Sequence, residues 1–280
     1  MADWRPSDVQ LRRLAVARRM RRRSWALSSV SALVFFGLVA AVVVSSAGWP
    51  TVRATFFDWS AAVDAWPDVV AGFWVNVRLF LLAEPLILVL GLAVAAARVS
   101  TAPVLLPVRL VAVGYTDLFR GLPTILVVFL VCFGVPALRL QGVTSSLFWL
   151  ALVALVLSYG AYVAEVFRAG IDSVHPSQVA SATALGLSHA QTLRHVVVPQ
   201  AVRRVLPPLL NDFISLQKDT ALLSTASIAE VVLTSTLWQS QLFNLSPVTL
   251  AAAFFIIITI PQARFVDALI DRDAARRAGK

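Results

Sequence analysis

Charge is scarce in this chain. Asp, Glu, Lys and Arg make up 14% of 280 residues, against 59% hydrophobic residues and a mean hydropathy of +0.80. Soluble domains carry about 25% charged and about 45–50% apolar residues, so the balance excludes an ordinary water-soluble globule and points to a bilayer. At about 20 apolar residues per span, the apolar runs use up half or more of the chain and leave no room for a separate soluble domain. Cysteine is scarcer still. The single Cys132, inside Phe129-Leu130-Val131-Cys132-Phe133, excludes an internal disulfide and reads as packing. There are only three histidines, His175, His189 and His195, and no Cys or carboxylate completes a metal set with them at a useful spacing. They read as solvated surface residues, and no catalytic or metal-binding residue is assigned. A G-x-x-x-x-G-K-[ST] phosphate loop is absent, which excludes ATP hydrolysis by that machinery in this chain. Also absent are a 20–50-residue period and two halves with matching broken helices, the marks of repeat-built secondary transporters.

The positive charge is concentrated. The formal net charge is +9, and eight arginines lie within the first 23 residues, opposed only by Asp3 and Asp8, directly before the apolar run Ala26 to Gly48. Arginines flanking a span stay cytoplasmic and orient it. The cluster is therefore read as topogenic, and nucleic acid is not an expected partner. The run exceeds the core of about 7–15 residues of a signal peptide and would cross roughly 35 Å as a helix, with Trp25 and Trp49 as interfacial anchors. Six spans are expected, at about 26–48, 71–97, 122–140, 146–168, 203–235 with an internal break, and 246–266. The implied organisation is an Arg-rich cytoplasmic tail 1–24, an N-terminal transmembrane helix 25–49, an outer interfacial segment 50–70, a transmembrane domain 71–268 containing a polar loop 172–200, and a cytoplasmic tail 269–280. Arg98, Arg109, Arg120, Arg168, Arg194, Arg203, Arg204, Arg272, Arg276, Arg277 and Lys280 then fall in or beside inside segments, whereas outside loops carry only Arg53 and Arg139. This asymmetry places the protein in the cell membrane, in contact with lipid, with both termini and the polar loop on the cytoplasmic side.

The polar loop is built to stand out from the spans around it. Pro176 and the cap residue Ser177 start a helix of about two turns, and Gly186 suits the left-handed position that ends it. Ser188 and Gln191 form an S-x-x-Q capping box for a second short helix. Two short helices at an angle make a knob, and the small residues Ala180, Ser181, Ala182 and Ala184 let it sit closely in a groove on a partner.

The stretch from Gln178 to Gly186 with Pro199 resembles the coupling loop of ATP-binding-cassette importer permeases, E-A-A-x-x-x-G-x9-I-x-L-P, with Ser181, Ala182, Gly186, Val196, Val198 and Pro199 in register. Over about residues 71–270 the chain is similar to the polar amino acid permease subfamily. Phe119-Arg120-Gly121-Leu122-Pro123-Thr124 resembles F-R-G-T-P, and Gly160 to Gly170 resembles G-A-Y-x-A-E-x-x-R-G-G. Leu206-Pro207 through Asn211, Ile214 and Leu216 to Lys218-Asp219-Thr220 resembles L-P-x-x-x-N-x-x-I-x-L-x-K-D-T. The resemblance implies an all-α integral membrane protein, a five-helix importer permease core plus one additional N-terminal transmembrane helix. It implies two copies of a separate ATP-binding subunit that binds ATP with magnesium, a second permease chain, and an extracytoplasmic substrate-binding protein, with no cofactor in this chain. Gln178, Ala180, Ser181, Ala182, Leu185, Gly186 and Pro199 would form the ATPase-coupling surface. Ala180 stands where the family has glutamate, so one acidic contact is missing, and a heterodimer with a better-equipped permease is favoured over a homodimer.

Ionisable residues at membrane depth are costly and mark a pathway or an internal pair. Here they are Arg78, Glu84, Glu165, Asp212, Lys218, Asp219 and Glu230. Lys218, Asp219 and Thr220, followed by Ser224, would sit where a span is interrupted, and a broken helix can hold a zwitterion through its half-helix ends. Lys218 is expected to attract an α-carboxylate, while Asp219 attracts an α-ammonium or pairs with Lys218. Glu84 precedes Pro85, which frees a backbone carbonyl, and is a second cation-facing group. Arg78 would snorkel to the outer interface; turned inward, it would suit an acidic substrate. Glu165 and Arg168 share a helix face near the cytoplasmic end and, with Arg120, read as a gate or structural pair. The function expected is ATP-driven import of a polar amino acid, glutamate or glutamine favoured; the competing class is an ion-coupled secondary carrier.

Overall fold

The computed structural model describes residues 7–100 and 102–278, and all regular elements among them are helical. Two units are distinguished, Met1–Phe56 and Phe57–Lys280. The first holds α1 (Asp8–Ser45) and α2 (Trp49–Phe56). At 1.5 Å per residue, α1 is about 57 Å long, well beyond the roughly 30 Å of a hydrocarbon core. No helix boundary falls at residue 24, so the basic segment from Asp8 onward continues into the apolar span Arg22–Ser45 as one rod.

The second unit is organised around α3 (Trp59–Val99). Asp58 caps it, its Oδ1 accepting from the Ser60 N–H at 2.9 Å, while the Asp58 N–H donates to Ser246 Oγ at 2.8 Å and ties the start of α3 to the start of α12 (Ser246–Ala278). The outer segment expected to end at residue 70 is not a separate element, because α3 runs unbroken through that position and through Pro67 and Pro85. The buried face of α3 is a stripe at helical spacing, Ala61, Ala65, Val69, Gly72, Asn76, Ala83, Ile87, Gly91 and Ala95. Its residues are mostly small. Against them packs α7 (Leu147–Asp172), whose Tyr159, Val163 and Leu155 enter the main core with Leu79 and Ile87. A Cβ on Gly91 would lie 2.6 Å from Val163 Cγ1; only glycine permits this approach.

Two further spans are bent. After a 3₁₀ turn (Pro103–Leu105), α4 (Leu106–Gly121) meets α5 (Thr124–Phe129), which continues through a π-helical turn (Leu130–Gly134) into α6 (Val135–Ala137); the bend is 107°. The third expected span is thus only the second arm of a longer bent pair. Pro123 at the junction has no N–H to continue α4, which places the turn at Gly121–Leu122–Pro123. The island carries α8 (Pro176–Ala184) and α9 (His189–Thr192), and a π-helical turn (Leu193–Val197) leads into α10 (Val198–Asp219). A 3₁₀ segment (Thr220–Ala226) then breaks the span before α11 (Val231–Leu242), with a 51° bend. Among the described residues, four helices are long and apolar enough to cross a membrane, or up to six if each bent pair is one span.

Replacing Gly91 by Val should separate α3 from α7. The expected loss is about 1–3 kcal/mol by overpacking, measured as a lower unfolding midpoint of the purified protein in detergent.

Candidate functional site

Three places gather the polar groups of the second unit. At one end of α7, Glu165 binds three arginines. Arg98 at the end of α3 reaches it at 2.7 Å, Arg120 at the end of α4 at 3.4 Å, and Arg168 pairs with it directly. Arg168 also pairs with Asp172. The expected Glu165, Arg168 and Arg120 are therefore brought together, and Arg98, foreseen only as a flanking charge, joins them. One carboxylate fastens the ends of α3, α4 and α7. Arg204 of α10 in turn donates to the Ser173 carbonyl just beyond α7.

The island adjoins this cluster. His175, not Ser177, caps α8: the Ser177 N–H donates to His175 Nδ1 at 3.2 Å, and Pro176 takes the first helical position, where no N–H is needed. Gly186 has φ +81°, its N–H donates to Thr183 O, and the Leu187 N–H donates to Ala182 O, a Schellman ending. The Ser188–Gln191 capping box forms in both directions, at 2.8 and 3.3 Å. The second helix of the island is not a separate short element, however. Pro199 cannot donate to a carbonyl one turn back, and the π turn before it lets the helix pass into α10 without a break. Gln178, Ala180, Ser181 and Pro199 are exposed, and Leu185 is 82% exposed at the tip, whereas Ala182 is buried beneath. A groove of about 310 Å³ runs between Ser177, Ser181, Leu185, Leu187, Val196 and Gln200.

The third place is the break after α10. Lys218 opens onto a cavity of about 440 Å³ lined by Val232, Ser235, Ala251, Phe255 and Ile256 of α11 and α12. Asp219, the next residue, faces a different neighbour and accepts from Tyr159 Oη of α7 at 2.7 Å. The two form no ion pair with each other among the described residues, so successive positions on one helix end serve separate surfaces. Thr220 is fully buried, Ser224 Oγ bonds back to the Ala221 carbonyl, and neither lines that cavity. Glu84 is half-buried on α3 and feels the carboxyl of Asp212 on α10; it too lies outside the cavity. Arg78 is exposed, its guanidinium 5.9 Å from the ring of Phe148 at the start of α7.

Sequence reasoning missed the residue that closes this break. Asn76, 2% exposed, donates from Nδ2 to Thr220 Oγ1 at 3.0 Å and to Glu230 Oε2 at 2.9 Å, and accepts the Val231 N–H at 3.0 Å. Glu230 Oε1 accepts the Val232 and Leu233 N–H groups. The first N–H groups of α11 are thus satisfied inside the protein, with the carboxylate at the positive end of the helix. Gly72, one turn before Asn76, allows the contact: a Cβ there would lie 3.0–3.1 Å from the Glu230 backbone. The available signal was a lone amide between Val75 and Val77, four residues after a glycine.

A bent-helix membrane fold with a polar island and a polar break inside the bundle fits the class of importer permeases. The chain belongs to the family described as binding-protein-dependent transport system inner membrane component, which matches residues 87–276. It is 29% identical over 204 residues to the arginine transport system permease protein ArtQ of Bacillus subtilis (strain 168), covering 72% of this chain and 91% of that protein. It is 31% identical over 225 residues to the glutamate transport system permease protein GluC of Corynebacterium glutamicum, covering 76% and 97%. A solved amino acid ABC transporter with histidines has 29% identity and a TM-score of 0.69, over 77% of this chain and 98% of that one. The protein is a multi-pass ABC transporter permease of amino acid transport, in a family whose members work with ATPase subunits.

Replacing Asn76 by Leu keeps the volume and strands the Val231 N–H. A loss of about 1–3 kcal/mol is expected for that buried group, read as a lower thermal midpoint, with Gly72→Val failing in the same way.

Proposed function

We propose that this chain is the permease subunit of an ATP-driven importer of a polar amino acid, with glutamate or glutamine favoured. The observation that carries this reading is Lys218 at the mouth of a cavity of about 440 Å³, beside the point where α10 breaks. An ammonium group in a mostly apolar pocket of that size suits the α-carboxylate of an amino acid. Asp219 is held by Tyr159 and Glu84 lies near Asp212, both outside this cavity, so neither is assigned to the α-ammonium of an amino acid bound at Lys218. The relatives are named for arginine and for glutamate, which supports a polar amino acid and does not choose among them.

ATP with magnesium is bound by two copies of a partner ATPase, which receive the island at Leu185 and the groove beside it. Closure of the ATPases pushes α8; Arg204 on the Ser173 carbonyl and the Glu165 cluster pass the displacement to α3, α4 and α7. The bundle then alternates its access against a second permease chain, a heterodimer because Ala180 lacks the carboxylate of a full coupling loop. An extracytoplasmic binding protein supplies the substrate. The termini and the island face the cytoplasm, in line with the arginine distribution. Domain limits follow the same reading, with a core at 71–268 and an added helix before it.

Uptake of labelled amino acids into proteoliposomes holding the co-purified complex is expected to require ATP inside the chosen compartment. Lys218→Ala should lower it at least about tenfold, the equivalent of one charge-assisted contact, with assembly intact. Uptake driven by an ion gradient without ATP would instead identify a secondary carrier. In the island, Leu185→Asp should uncouple the complex, lowering substrate-stimulated ATPase activity while leaving amino acid binding unchanged.

A further inference from the structure

A second cavity, of about 150 Å³, borders the first and shares Phe255 with it. It lies between α3, α10 and α12, with Phe73, Phe80 and Phe255 as apolar walls and three amides, Asn76, Gln217 and Gln262, among its lining residues. The amide of Asn76 is occupied by Thr220, Glu230 and Val231. The other two are not. Gln217 is more than nine-tenths buried, and its Oε1 has no hydrogen-bond partner; the Oε1 of Gln262 is buried and likewise unpartnered. Within a bilayer such acceptors have no bulk water to turn to, so two orphaned amides on one small cavity mark a place meant to receive a donor.

The lining also says what kind of donor. No Lys, Arg, Asp or Glu lines this cavity. A carboxylate could accept from the amide N–H groups but would leave both orphaned oxygens without a donor, and no cation lines the cavity to offset its charge. A guanidinium or ammonium group would bring donors but find no carboxylate. A carboxamide brings two N–H donors and one acceptor, is uncharged, and matches an amide on each side. The cavity, about a third of the volume of the first, has room for a side-chain end. Arg78, the cation that would have drawn an acidic side chain, lines neither cavity.

We propose that Gln217 and Gln262 read the side chain of the imported amino acid and select a carboxamide, as in glutamine or asparagine, over carboxylate and cationic side chains. This rests on the reading of the Lys218 cavity as the amino acid site. Lys218 takes the α-carboxylate in the larger cavity, and the side chain reaches past Phe255 into the smaller one. Specificity then comes from a position next to Lys218 in sequence but turned to another wall of the same helix.

The test is ATP-dependent uptake of labelled glutamine, glutamate and arginine by the reconstituted complex, comparing wild type with Gln217→Leu, Gln262→Leu and Gln217→Glu. Wild type is expected to prefer glutamine to both others by at least about tenfold in kcat/KM, since sites built on hydrogen bonds reject analogues that cannot make them. Each Leu variant should lower glutamine uptake roughly tenfold and erase the preference, and Gln217→Glu should raise arginine uptake. Should Gln217→Leu fail to assemble, the less buried Gln262→Leu supplies the same comparison. ATP-dependent uptake with glutamate or arginine preferred, or with the same ratio in wild type and Leu variants, overturns the side-chain assignment and leaves the importer intact. Absence of ATP-dependent uptake of every amino acid by the wild type overturns the importer reading and this assignment together.

Discussion

The structure of the second unit depends on one constraint: a helix broken within a membrane must satisfy its exposed N–H groups from inside the protein. The break between α10 and α11 does so with two side chains. Glu230 covers the Val232 and Leu233 N–H groups, and Asn76, carried on another helix, covers Val231 and steadies Glu230 and Thr220. Placing a carboxylate there without a cation is tolerable because it sits at the positive end of α11 and accepts three hydrogen bonds. The small residues of the α3 stripe follow from the same requirement, since Asn76 reaches the break only if Gly72 lets α11 come close.

The other end of the bundle solves a different problem with a different device. Glu165 holds arginines from α3, α4 and its own helix, so three elements end on one carboxylate. Such a knot is polar, partly solvated and close to the island, and it ties three helices to a single carboxylate. Between the knot and the broken helix lies the span of α7, whose Gly160 and Gly170 contact α3, α4 and α10 neighbours closely.

Much of this was legible in the residues. Apolar runs give spans because a bilayer punishes charge wherever it falls in the hydrocarbon. The Gly186 ending and the Ser188–Gln191 box were readable because capping is local, decided within four residues. The motif Lys218-Asp219-Thr220 marked the break. What went astray were features set by distant contacts or by a competing local partner. His175 displaced Ser177 as cap because the helix begins at Pro176, and the His175 ring nitrogen accepts the Ser177 N–H two residues on. The helix starting at Ser188 was expected to be a separate short one, yet a π turn carries it onward into α10. The pairing of Lys218 with Asp219 failed because Tyr159, sixty residues away in the chain, claims the carboxylate.

By itself, the sequence determined that this chain is a helical membrane protein resembling importer permeases, with a polar island and a helix break near residues 218–220. Those properties follow from composition, local capping and short motifs, each of which acts over a few residues. Tertiary structure alone decided which polar groups share a surface. It joined Asn76 to Glu230, gathered Arg98 with Glu165, separated Lys218 from Asp219, and left Gln217 and Gln262 facing one cavity. The physical reason is that adjacent positions on a helix point about 100° apart, so the neighbours that matter to a buried polar side chain lie on other helices, at separations along the chain that no local pattern encodes.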